Sequence, residues 1–183
     1  MKFPTWQSLG SDPRFLRLGM NLWPPFAAAG IRIEEISPDW RYVRVALRKG
    51  VLNRNYVGTH FGGSLFAMTD PFWMIMVMHN IGGRHVVWDK AAEIEFVSPG
   101  RTTVRAEFRL TDEHLAELRE ATADGSKVLR WFETDVLAED GTIVARVRKQ
   151  LYVRRKREAV GPDSTGVTSE SAGVPPVEAA ERA

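Results

Sequence analysis

The strongest constraint on this chain lies in residues 62–80. Leu65, Phe66, Met68, Phe72, Trp73, Met74, Ile75, Met76, Val77 and Met78 leave almost no polar face around a helical axis. A helix that is hydrophobic all round has nothing to turn toward water and must be enclosed. It is not a membrane span, because Asp70 and Pro71 interrupt it and it falls short of the roughly 20 apolar residues required. The rest of the chain must therefore wrap it.

The flanking sequence has the period needed to do so. Residues 31–37 and 40–48 read as a hairpin turned at Ser37-Pro38-Asp39. In 85–97, Val86, Trp88, Ala92, Ile94 and Phe96 alternate with Asp89, Glu93 and Glu95. Ser98-Pro99-Gly100 turns that strand toward a partner at 101–110, where Val104, Ala106, Phe108 and Leu110 form one face. Residues 128–138 and 142–154 are joined by Glu139-Asp140-Gly141, a strong hairpin signal. A polar helix with a Leu115/Leu118 stripe fits 112–123. Short connections favour antiparallel pairing. The expected class is α+β: about six antiparallel strands around a buried helix, as one domain over 31–157.

A short helical lead-in is expected over 1–30. Ser11 or Asp12 before Pro13 marks a helix start, Trp23-Pro24-Pro25-Phe26 a break, and Phe3, Trp6, Phe15 and Leu18 apolar surface for packing on the body. Residues 158–183 contain no Leu, Ile, Met or aromatic residue and read as a disordered tail. The formal net charge is +2. Five acids against Arg182 alone in that tail leave +6 on the preceding 157 residues, which favours anionic partners. The 183 residues include no cysteine, so disulfides, zinc–thiolate centres and thiol nucleophiles are excluded. With no signal-like apolar start at MKFPTWQSLG, the chain is expected in the cytoplasm.

Several chemistries lack their residues. Ser64 sits in Gly-Gly-Ser-Leu-Phe without the last glycine of a nucleophile elbow. No phosphate-binding glycine loop follows a strand. The four histidines show no ligand spacing, so neither a metal nor another cofactor is expected. Tyr152 among arginines is too little for a nucleic-acid platform. What remains is the stretch 53–70, a loop with Asn53, Asn55 and Gly58 running through His60 and Phe61 into Gly62-Gly63 and the buried segment. Free amides at a helix start can hold developing negative charge. Asp70 is the only charged residue between His60 and His79. It is either a site carboxylate or, followed by Pro71, the cap of a helix starting there.

Asn55-x-x-Gly58-x-x-Phe61-Gly62-Gly63, six residues, then Asp70 resembles the N-x-x-G-x-x-H-G-G…D signature of the hotdog-fold acyl-CoA thioesterases of the phenylacetyl-CoA type. Glu93 to Arg101 resembles the strand–turn–strand that follows the helix in that family. The resemblance implies a hotdog fold and an acyl-CoA substrate. It gives Asp70 the place of the acid or nucleophile, Gly63 that of the amide that polarises the thioester carbonyl, and Asn55 that of a residue positioning water. Phe61 occupies the histidine slot, and His60 beside it is, with Asn55, the catalytic candidate for orienting water. Phe61, Gly62, Ser64, Phe72 and Trp73 are the candidate substrate contacts.

Spacing adds a condition. On one continuous helix Gly63 and Asp70 would share a face about 10 Å apart along the axis, so both could meet one carbon only across a two-fold axis. A homodimer or dimer of dimers is therefore expected, without nucleic acid or a membrane span. Pro71 within such a helix would kink it. The alternative reading is a hotdog module that binds an acyl-CoA or a fatty acyl chain without cleaving it.

Overall fold

A computed structural model describes residues 12–51 and 53–156. Phe3, Trp6 and the expected tail at 158–183 lie outside the described residues. Helix α1 (Pro13–Leu22) begins where Asp12 accepts a hydrogen bond from the Arg14 amide at 2.8 Å. It buries Leu16 and Met20, and Asn21 clasps the backbone of Ile33 through its N–H and carbonyl. Phe15, Leu18 and Leu22 face outward, so the lead-in packs with a narrower face than its composition suggested. The proline pair ends α1 as expected but also starts a second helix, α2 (Pro24–Ala29). Proline suits a first turn, where its missing N–H costs nothing.

The body follows as β1 (Ile31–Ile36), β2 (Tyr42–Leu47), α3 (Gly62–Ala67), α4 (Phe72–Ile81), β3 (His85–Phe96), β4 (Val104–Arg109), α5 (Asp112–Ala121), β5 (Lys127–Ala138) and β6 (Ile143–Arg155). The strands form one antiparallel sheet in the order β1-β2-β4-β5-β6-β3. Its inner face supplies Val43, Val45, Phe108, Phe132, Val147 and Leu151 to a core shared with Phe72, Met76 and Val77 of the central helical segment. Thr111 and His114 close a reciprocal cap at the start of α5, which buries Leu115 and Leu118.

Three expectations change. β3 and β4 do not pair: the 98–103 connection carries the chain across the sheet, β3 lying on β6 and β4 between β2 and β5. The apolar segment is not one helix, because the chain turns through Met68 to Pro71 and restarts, which removes the continuous-face geometry between Gly63 and Asp70. Finally, Lys90 is an extra residue in β3: Asp89 pairs with Leu151 and Ala91 with Gln150. The bulge reverses the alternation, so Val87 and Asp89 before it, and Ala92 and Ile94 after it, face the helices, while Trp88 faces out.

Candidate active site

The loop before α3 is built by its asparagines. Asn53 is buried. It donates to the carbonyls of Ala29 and Arg48 and accepts from the Gly50 amide. Its amide also fills the space beside Gly30 (φ 77°), where a Cβ would collide with Nδ2. Asn55 shapes the next turn: Oδ1 accepts from the amides of Val57 and Thr59, and Nδ2 donates to Thr59 Oγ1 and the His60 carbonyl. All of these bonds stay within the loop.

His60 is 3% exposed, and its Nε2 lies 2.7 Å from the Thr102 carbonyl. A carbonyl only accepts, so Nε2 carries the proton and Nδ1 holds a lone pair. Nδ1 is buried and has no partner among the described residues. Burial pushes the His60 pKa down, which favours the neutral ring.

Phe61 is the N-cap residue of α3 and makes no side-chain cap bond, so the first amides of the helix, those of Gly62 and Gly63, are uncapped from that side. A side chain at either position would have to displace an aromatic ring. A Cβ on Gly63 would enter the ring of Phe61, and one on Gly62 would come within 2.8 Å of the Phe96 ring. Phe61, 57% exposed, thus lies over Gly63. An open cleft of about 530 Å³ runs beside this start, lined by Asn55, His60, Gly62, Leu65, Phe96 and Arg101 among others. Ser64 is buried in the first turn. Phe72 and Trp73 lie in the core: Phe72 against Phe26 and Phe108, and Trp73 stacked on Phe132 with its indole N–H donating to Thr134 Oγ1.

Asp70 stands in the turn between α3 and α4, its side chain 57% exposed. It does not cap α4, whose N-cap residue is Pro71 without a side-chain bond. Its Oδ1 instead lies 2.5 Å from Nζ of Lys149, on the inner face of β6, and the same Nζ lies 3.2 Å from Oδ2 of Asp89 on β3. Burial pushes the Asp89 carboxyl up, the ammonium of Lys149 opposes this, and Asp70 adds to it. Lys149 and Asp89 both lie outside the motif of residues 53–70. A signal existed for the first, since Lys149 interrupts the inward row Ala145, Val147, Leu151, Val153. Among the described residues, no group of three His, Asp or Glu side chains could hold a metal ion.

A family model described as a domain of unknown function, DUF4442, matches residues 12–153. No curated protein matches the chain. Among solved structures, the chain is similar to a Pseudomonas aeruginosa protein of unknown function called a probable thioesterase. Identity is 23% and the TM-score 0.67, over 85% of this chain and 98% of that one. It is also similar to a Haemophilus influenzae thioesterase, at 13% identity and TM-score 0.55, over 87% of this chain and 96% of that one. The PaaI protein of the E. coli phenylacetic acid degradation operon matches at 16% identity and TM-score 0.52, over 75% and 88% of the two chains. These likenesses show the fold: a six-stranded antiparallel sheet around a central helical segment, the hotdog fold.

Proposed function

This chain belongs to the DUF4442 family, and from that premise we propose that it is an acyl-CoA thioesterase-like hydrolase centred on Asp70. The observation that carries the reading is the place of that carboxylate. It interrupts an otherwise apolar helical segment, caps neither helix, and is held by a buried lysine with its side chain half-exposed. The similar folds called thioesterases point the same way. Asp70 acts as the general base: it takes a proton from water as the oxygen attacks the thioester carbonyl. The Gly63 amide stabilises the resulting oxyanion, and collapse expels the thiolate of coenzyme A and leaves a carboxylic acid. A direct attack by Asp70, through an anhydride that water then opens, gives the same products. His60 and Asn55 border the cleft as candidates for ordering water or substrate, with Phe61 and Gly62 beside them.

The active form we propose is a cytoplasmic homodimer or dimer of dimers, with Gly63 of one subunit facing Asp70 of the other. Among the described residues β3 ends the sheet with one edge unpaired, and Trp88, Phe96 and Val97 are exposed along and just beyond it. Such an edge is a template for a second chain. Among the described residues no helix is long and apolar enough to cross a membrane. One observation favours the second reading, a binding module without turnover: the ring of Phe61 covers the glycine whose amide the chemistry needs.

The test is release of coenzyme A from short, medium, long and aromatic acyl-CoAs, read with a thiol dye; a protein without cysteine adds no thiol background. Turnover that falls about 100-fold or more in Asp70→Asn supports hydrolysis by this site. A folded wild type that binds acyl-CoA without releasing thiol gives the binding module instead.

A further inference from the structure

We infer that Lys149 is the positioning residue of the site, a buried ammonium that fixes the Asp70 carboxylate by one oxygen and is itself held in place by Asp89. This deepens the hydrolase reading and rests on it. Lys149 is only 4% exposed, in a row of β6 that is otherwise apolar. Its strand neighbours are Ala92 on one side and Phe132 on the other. A lysine so enclosed needs acceptors, and two elements converge on β6 to give them: the α3–α4 turn through Asp70 and β3 through Asp89.

The Lys90 bulge makes the arrangement possible. Asp89 falls inward ahead of the bulge, and Ala92, facing Lys149 across the ladder, falls inward after it. Without a reversal between them, the polar face of β3 that includes Glu93 and Glu95 would be the one that turned inward with Asp89. The helix break has the matching role, since a continuous helix would carry residue 70 on helical backbone rather than in a turn. Two local irregularities thus bring two carboxylates to one ammonium. Asp89 is the more enclosed, its side chain 29% exposed against 57% for Asp70, so Asp89 anchors and Asp70 stays accessible. With Oδ1 engaged by Nζ, Oδ2 of Asp70 is the oxygen left for water or substrate.

The experiment uses the full chain with the acyl-CoA that gives the best turnover, comparing Asp70→Asn, Lys149→Met and the double variant Asp89→Asn/Lys149→Met. The double variant removes the anchor with the lysine, so no carboxylate is stranded inside and the fold is retained even where Lys149→Met alone unfolds. Positioning predicts that kcat falls about 10- to 100-fold in both lysine variants while KM stays within about twofold and the double variant keeps its cooperative melt. Unchanged kcat in the double variant, with Asp70→Asn inactive, overturns the role of Lys149 and leaves the hydrolase intact. A parallel rise in KM, with kcat kept, overturns it in favour of a binding role. Wild-type protein without turnover overturns both readings together.

Discussion

At the scale of single residues, the two asparagines of the loop have exchanged the prominence their sequence context gave them. Asn55 belongs to the motif, yet Asn53 ties the loop to the body by joining Gly50, Arg48 and the end of α2 at Ala29. Asn53→Ala would leave one amide and two carbonyls without these partners in a half-buried setting and is expected to cost about 2 to 3 kcal/mol, at about 1 for each lost partner. Asn53→Asp is expected to be worse. Its oxygens still accept from Gly50, but one then faces two carbonyls that Nδ2 had been donating to. Urea denaturation of the three proteins checks the order, wild type above Asn53→Ala above Asn53→Asp. The reverse order for the two variants would mean that the loop is held from elsewhere.

At the scale of elements, periodicity located all six strands and α5 to within a few residues, because alternation and hairpin turns are local properties. It could not tell which strands are neighbours, so β3 and β4 looked like a pair. Periodicity alone does not place the break in the nearly all-apolar run, because such a run has no phase to lose; the Asp70-Pro71 pair marks it, as one of the two readings open in the sequence. Asp70 is legible in the sequence as an anomaly, open between cap and site; Pro71 standing as the N-cap residue of α4, and the bond from Asp70 to Lys149, decide against the cap. The bulge was invisible for a similar reason, since one extra residue shifts the pattern and both halves of β3 still alternate. Its position yields a prediction. Deleting Lys90 heals the register, leaving Asp89 opposite Leu151 and Ala91 opposite Gln150. That protein is expected to fold with a loss of no more than about 1 to 2 kcal/mol. Deleting Val87 instead pulls the preceding residues out of step and removes a buried side chain, so it should abolish the cooperative melt. Circular dichroism melts of both deletions decide the matter, and equal tolerance would show that β3 does not depend on its register.

At the scale of the whole molecule, stability should depend on pH through imidazoles that the fold keeps neutral. His60 is enclosed beneath Gly100, and burial lowers its pKa from the ordinary 6.5. His114 is lowered too, first by burial and then by the guanidinium of Arg130, while it packs edge-on to Trp73 and Phe132. For a histidine whose folded pKa is depressed, the unfolded chain binds more protons between the two values, so unfolding free energy rises with pH there. The contribution is intact above 6.5 and is lost as the solution is acidified from 6.5 down through the folded value. Asp89 acts in the opposite sense and at lower pH: its folded pKa is raised, so the native state takes up the extra proton and gains stability as pH falls from the raised value toward 3.8. The melting temperature is therefore expected to fall between about pH 7 and 5, with the steepest loss below 6.5 and partial recovery of the slope in more acid solution. His60→Gln should flatten the upper part of that curve at some cost in absolute stability, since glutamine cannot gain a proton in this range. Asp89→Asn should remove the acid-side recovery and leave the upper part alone. A wild-type curve flat from pH 7 to 5 would mean that His60, His114 and His79, which burial lowers as well, keep their ordinary affinity for protons, and that the space around them admits water.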